Sequence, residues 1–332
     1  MTLKNGEKLG IFVVPTGIGA NIGGYAGDAS SWARRFSKVA KLVVNPNVVN
    51  AGGFSGINEN MLYVEGYSLD EFSKGNLKLK IPKEPTRIGI VYDGAMPDEV
   101  LNIHLNTANA VRTVYDIDVF GYEITENPVG IEFCLDENGV SAGTVKHPEE
   151  FLESANILLG VGCDAIALVG MFDEPEELNE DYASGKGTDP VGGVEAILSH
   201  YISKELKVPC AHSPAFADYG ICTKLVNPKS ASEYITPTFL PCILLGLAQA
   251  PLLSTAEGIS FDEVDFIVTP VDSLGNTTVL AGVKRGTLVF AVEENSTALD
   301  VTAEKLGIAD KVTVVKSYDD CLKLVERLFK AC

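Results

Sequence analysis

Cys210 and His212 stand two positions apart in the run Val208-Pro209-Cys210-Ala211-His212-Ser213-Pro214. On an extended strand, residues two apart point to the same side, so both could enter one cavity. A thiolate whose pKa is lowered by a neighbouring imidazolium acts as a nucleophile or a proton-transfer base. His212 alone serves as a general acid/base. The competing reading of Cys210 is a small buried apolar residue. A second candidate is the carboxylate pair Glu293 and Glu294, which follows the apolar run Thr287–Val292. Such a pair could act as base or hold sugar hydroxyls, or it could form a capping turn into the next helix.

Glycine- and asparagine-rich turns supply the binding candidates. After the first apolar run comes P-T-G-I-G-A-N-I-G-G at 15–24, with Thr16, Gly17, Gly19, Asn21, Gly23 and Gly24. Glycines let backbone N–H groups face an anion, and a helix start adds a favourable dipole. The spacing is one residue off the dinucleotide fingerprint, and Asn45 stands where that fingerprint wants an acid to hold the ribose. No G-K-[ST] follows, so a P-loop is excluded. Asn45, Asn47 and Asn50 follow the second run and offer uncharged donors and acceptors, or ordinary turn chemistry. Asp189, Gly192 and Gly193 open a later helix and form a second candidate anion nest. Ser273 and Gly275 precede a third helix start. Glu195 and His200 lie five apart, about 140° around a helix, so they cannot clamp one metal. No cofactor and no metal is expected.

The elements that must position these residues alternate. Leu9–Val14, Lys41–Val44, Arg87–Tyr92, Asp118–Ile124, Ala165–Val169, Val208–Ala211, Val264–Thr269, Thr287–Val292 and Val312–Val315 read as strands. Asp28–Ala40, Pro97–Tyr115, Pro148–Leu159, Gly192–Leu206, Asn276–Lys284, Ala298–Leu306 and Tyr318–Lys330 read as helices, with Asp28 as an N-cap. Asn138-Gly139 marks a hairpin between Gly130–Cys134 and Ser141–Thr144. Phe172–Gly187 reads as an acidic surface loop. The rhythm predicts an α/β protein with two Rossmann-like lobes, mostly parallel sheets and an inserted β-hairpin. Three segments are expected: 1–82, with the glycine loop; 83–260, with hairpin and acidic loop; and 261–332.

The 332 residues are 46% hydrophobic and carry a net charge of −19. That composition fits a packed globular chain and opposes nucleic acid and anionic membrane as partners. A small anionic metabolite is still admitted, because a local site can oppose the global sign, and homo-oligomers are allowed. Seven cysteines without a C-x-x-C pair fit neither a disulfide framework nor a zinc knuckle. The longest apolar stretch, Phe239–Leu253, is broken by Pro241, Gln249 and Pro251, and no stretch approaches the roughly 20 residues that span a bilayer. A cytoplasmic protein is the expectation.

The motif at 15–24, with P-N-V-V-N at 46–50, D-P-V-G-G-V-E-A at 189–196, P-C-A-H-S-P at 209–214, T-F-L-P-C at 238–242 and V-E-E-N at 292–295, resembles the uncharacterised family filed as domain of unknown function 3326, with cyanobacterial and plastid members. The resemblance spans nearly the whole chain and implies one coherent enzyme-like unit, not a named reaction. Relatives are expected to carry Cys-Gly-Gly where this chain has Ser273-Leu274-Gly275, which implies that no cysteine is essential there. Gly162–Leu168 is similar to the strand before a catalytic cysteine in the aspartate/glutamate racemase family, but Val169-Gly170-Met171 lacks that cysteine. Asn276–Gly286 with Thr287–Val292 is similar to the sugar-nucleotide half of two-domain glycosyltransferases.

Together these readings predict an enzyme for a small carboxylate or phosphate metabolite, working by proton transfer of the isomerase, racemase or lyase type. His212 is the acid/base, with Cys210 beside it and Glu293 or Glu294 as a second carboxylate. A nucleotide-sugar-dependent glycosyltransferase and a non-catalytic ligand sensor are the alternatives.

Overall fold

A computed structural model describes residues 3, 6–173 and 179–330. The fold is mixed α/β and mostly parallel. Six strands form one parallel sheet in the order Val312–Val315, Leu288–Val292, Phe266–Pro270, Leu9–Phe12, Lys41–Val44, Met61–Tyr63. Four form a second parallel sheet in the order Cys210–Ala215, Ala165–Met171, Ile88–Tyr92, Val119–Ile124. The antiparallel hairpin Ile131–Leu135 with Ser141–Val145 is separate from both.

Every residue of Leu9–Phe12 and of Ile88–Tyr92 is buried. That is the pattern of strands covered by helices on both faces, and it explains why these runs are continuously apolar instead of alternating. One core cluster takes in Phe12, Val44 and Tyr63 from the first sheet and Ile90, Val169 and Ala211 from the second, with Ile243 and Leu247 from the helix Leu240–Leu247. The broken apolar stretch of the sequence is therefore a core helix. Pro241 interrupts nothing, because it sits in the first turn, where an amide has no intrahelical acceptor.

Three local expectations are corrected. Asp28 does not cap a helix; Ala29 takes that position before Ser30–Phe36, and the Asp28 carboxylate accepts the Gly23 amide at 2.6 Å. Residues 298–306 are not helical. Their backbone pairs with 272–274, through Val301 N to Asp272 O at 2.9 Å and Leu274 N to Val301 O at 3.0 Å, while Asp272 holds the Thr297 hydroxyl at 2.9 Å. The acidic loop contains the short helix Asn179–Ala183, and its residues 174–178 lie outside the described residues.

The glycine loop is tied to the second strand by side chains. Buried Asn45 accepts the Val14 amide at 3.1 Å and donates to the Val14 carbonyl at 2.7 Å, so one side chain satisfies both backbone groups of the residue that leaves the first strand. Asn47 donates to the Pro15 carbonyl at 3.0 Å. Replacing Asn45 by Leu keeps the volume but strands two buried backbone groups. The loss expected is about 2–4 kcal/mol of folding free energy, read from the urea midpoint.

Candidate functional site

The carboxyl ends of the first sheet's strands open on a cavity of about 250 Å³. Gly17, Gly19, Gly23 and Gly24 border it with Thr16. Asn47 and Asn50 form another part of the wall, and Asp189, Gly192, Glu195 and His212 come from the second half of the chain. Residues from four separate segments thus converge on one hollow.

His212 lies mid-strand on the outer strand of the second sheet, paired in register with Leu168. Its Nδ1 is 2.8 Å from the Ser199 hydroxyl and 3.1 Å from Glu65 Oε2. The Ser199 hydroxyl donates to the Ala196 carbonyl at 3.3 Å, so its oxygen can accept from the ring. That leaves Nε2 as the nitrogen His212 presents to the cavity. Glu65 follows the outer strand Met61–Tyr63 of the other sheet and is 6% exposed. Its Oε1 accepts the Tyr63 hydroxyl at 2.7 Å, and Tyr63 in turn accepts Asn50 Nδ2 at 3.2 Å. A continuous polar chain, Asn50–Tyr63–Glu65–His212, therefore runs behind the cavity wall.

Burial acts against a charge on His212, but Glu65, with Glu195 and Asp189 adding to it, outweighs burial and holds the imidazolium up to about 9. Glu195 behaves oppositely. Burial pushes its carboxyl up to about 8, against the pull of His212 and with added repulsion from Asp189 and Glu65. Burial also raises Asp189 and, strongly, Glu233. Glu233 accepts the hydroxyl of Tyr182 at 3.2 Å, and Tyr182 stacks on Tyr25 with ring centroids 4.9 Å apart.

Several residues predicted for the site lie elsewhere or are already engaged. Cys210 is not in the cavity. It borders a separate hollow of about 10 Å³ with Tyr63, Glu65 and Ser68, and burial, reinforced by Glu65, holds its thiol well above the usual range. Such a group has no thiolate to offer near neutrality. Glu294 accepts the Tyr318 amide at 2.6 Å at the start of the helix Tyr318–Lys330, and neither it nor Glu293 borders the cavity. Ser273 and Gly275 also lie outside it; Asn276 caps the helix Thr277–Arg285 there through the Val279 amide. Asn21 points to Ser296 at 2.7 Å. The nest at Gly192–Gly193 is filled from within: Asp189 accepts the Val191 amide at 3.0 Å, and Gly193 donates to Ser141 at 2.8 Å. His200 is packed against the next sheet's helix start, where a Cβ on Gly66 would fall 1.5 Å from its Nε2; only glycine fits there.

Sequence reasoning missed Glu65, Tyr63, Glu233, Tyr182 and Cys242, and weighed Glu195 only as a metal ligand. Glu65 left a signal: it is the lone charge directly after the apolar run Met61–Val64. Among the described residues no group of His, Cys, Asp and Glu could hold a metal ion.

The chain matches, over residues 9–328, the family described as "Protein of unknown function (DUF3326)". It belongs to that family. An uncharacterised lipoprotein of a Synechococcus species is 38% identical over 306 residues, 90% of this chain and 85% of that protein. This relative overturns the expectation of a cytoplasmic protein. A lipid anchor is a covalent addition that needs neither a spanning helix nor a disulfide framework, so the features behind that expectation do not decide the compartment. No helix among the described residues is long and apolar enough to cross a membrane. Among solved structures, the Escherichia coli transcriptional repressor ascG is similar at 12% identity and a TM-score of 0.20, covering 74% of this chain and 91% of that one. So low a score carries no argument about this DUF3326 chain.

Because the folded value of His212 lies above its unfolded one of about 6.5, its pairing with Glu65 stabilises fully below that pH and fades as pH rises through about 9. Glu65→Gln should therefore destabilise the protein on the order of 2 kcal/mol at pH 6 and much less at pH 10, measured by urea unfolding at both. Nitrogen-detected NMR of the imidazole should show His212 losing its proton at lower pH in the variant.

Proposed function

We propose that the protein is an enzyme acting by acid/base proton transfer on a small metabolite bearing a carboxylate. The observation that supports this reading is the pairing of His212, fixed through Nδ1 by Glu65 and Ser199, with Glu195, a buried carboxyl on the same cavity. Two titratable groups on one cavity whose surroundings shift them from their usual values are a mark of acid/base sites. Glu195 in its ionised form takes a proton from the substrate, and His212 as imidazolium delivers one through Nε2. The glycine loop contributes the anion contact. The amides of Gly17, Gly19 and Ala20 have no partner among the described residues, and Gly17 and Gly19 adopt φ of +72° and +60°, the left-handed conformation that backbone anion nests use.

The segment 276–292, on which the glycosyltransferase reading rests, does not border the cavity, so the structure gives that reading no separate support. Cys210, Glu293 and Glu294 have no part in the mechanism proposed here.

The test is solvent exchange. In deuterium oxide the full chain should wash out the proton next to the carboxylate of a substrate acid, followed by proton NMR across a panel of small carboxylic acids. His212→Gln should slow exchange by about 100-fold or more while leaving binding in place. The rate should rise with pH as Glu195 ionises near 8 and fall as His212 deprotonates near 9, and Glu195→Gln should remove the rising limb. Full exchange in His212→Gln would sink the assignment.

A further inference from the structure

Two oxygens in the cavity wall lack a partner among the described residues: Oε1 of Glu195 and Oδ1 of Asn50. Glu195 is 6% exposed, so bulk solvent reaches little of it. The Asn50 amide is oriented by its Nδ2, which donates to Tyr63, so its oxygen is the end turned away from that hydroxyl. A buried acceptor left unpaired costs about 1–3 kcal/mol. A ligand that donates hydrogen bonds at these two atoms recovers that cost.

The charge on the wall has the same bias. Asp189, Glu195, Asp218 and Glu233 border the cavity, and among the described residues His212 is the one basic side chain that does. Burial raises the carboxyls of Asp189, Glu195 and Glu233, and at Glu195 and Glu233 neighbouring carboxylates add to it. Beside them lies a donor-rich element. The loop carrying Gly17 and Gly19 packs on the very turn that carries Glu195: a Cβ on Gly17 would fall 3.4 Å from the Gly193 nitrogen, and one on Gly192 would fall 3.2 Å from Thr16. Donors for an anion and acceptors for a cation are therefore neighbours on one wall. Phe216, Phe239 and Ile243 give the cavity an apolar side.

We propose that the ligand is a free amino acid with an apolar side chain, its carboxylate on the Gly17–Ala20 amides and its ammonium against Glu195 Oε1 and Asn50 Oδ1. This rests on the reading of the cavity as a carboxylate-substrate site and adds the cationic half. It also explains why an acidic wall and an anion-binding loop coexist: a zwitterion satisfies both, whereas a plain carboxylate leaves the two acceptors unpaired.

The test uses calorimetry on the full chain at pH 7. The probes are both enantiomers of leucine and phenylalanine, the corresponding acids without nitrogen (4-methylpentanoate and 3-phenylpropanoate), the corresponding amines (3-methylbutylamine and 2-phenylethylamine) and 2-hydroxy-4-methylpentanoate. At least one amino acid should bind about tenfold or more tighter than its matched acid, its matched amine and the hydroxy acid. Glu195→Gln should weaken that amino acid about tenfold and change the matched acid's affinity by less than about threefold. Equal binding of amino acid and matched acid would overturn the inference and leave the carboxylate reading standing. Equal binding of amino acid and amine would overturn both. A hydroxy acid binding as tightly as leucine, or no binding by any probe at millimolar concentration, would also overturn the inference. These comparisons are made on the unaltered protein, so they decide the matter even where the variant misfolds.

Discussion

Glu65 is a carboxylate at the edge of one parallel sheet, buried against a histidine at the edge of the other. A buried carboxylate costs several kcal/mol unless it is met by a charge and by hydrogen bonds. Here it is met by His212 on one oxygen and the Tyr63 hydroxyl on the other. That requirement sets the spacing of the sheet edges, the direction of the His212 ring and the place of the helix Gly192–Leu206, whose Ser199 shares the same ring nitrogen. Even the absence of a side chain at Gly66 belongs to this junction, because His200 of that helix fills the space.

The cavity beside the junction is acidic in composition, and burial works against full charge on three of its carboxyls. Burial raises Asp189, Glu195 and Glu233 above their ordinary values, which weakens the repulsion that a chain with net charge −19 would otherwise put beside the glycine loop. The glycine loop is the complement. Its backbone supplies donors without adding charge, and its position is set by Asn45 and Asn47, whose amides are spent on Val14 and Pro15. Of the three asparagines after the second strand, Asn50 alone keeps an oxygen free.

The other apparent anion sites are closed by the protein's own groups. Asp189 takes the Val191 amide just before the helix Gly192–Leu206 and Ser141 the Gly193 amide within it, and Asn276 takes the Val279 amide of Thr277–Arg285. A glycine-rich helix start in a sequence is a site only where no neighbouring side chain satisfies it first, and that neighbour can be distant in the chain: Ser141 precedes Gly193 by 52 positions.

Apolar runs, turn residues and helix caps are local, so the α/β class, both parallel sheets' long strands, the hairpin and the helices Gly192–Leu206 and Tyr318–Lys330 were legible in the order of residues. The glycine loop lies where turns after the strands of an open sheet gather, whereas His212 reaches the same cavity from the middle of a strand of the other sheet. Short strands such as Met61–Tyr63, the core helix behind Pro241 and the unwound 298–306 segment were not legible, since each owes its form to partners far along the chain. The roles of Glu65, Glu195 and Cys210 were decided only in three dimensions. A carboxyl or thiol takes its chemistry from burial and from the charge beside it, and in this chain those neighbours come from opposite ends of two sheets.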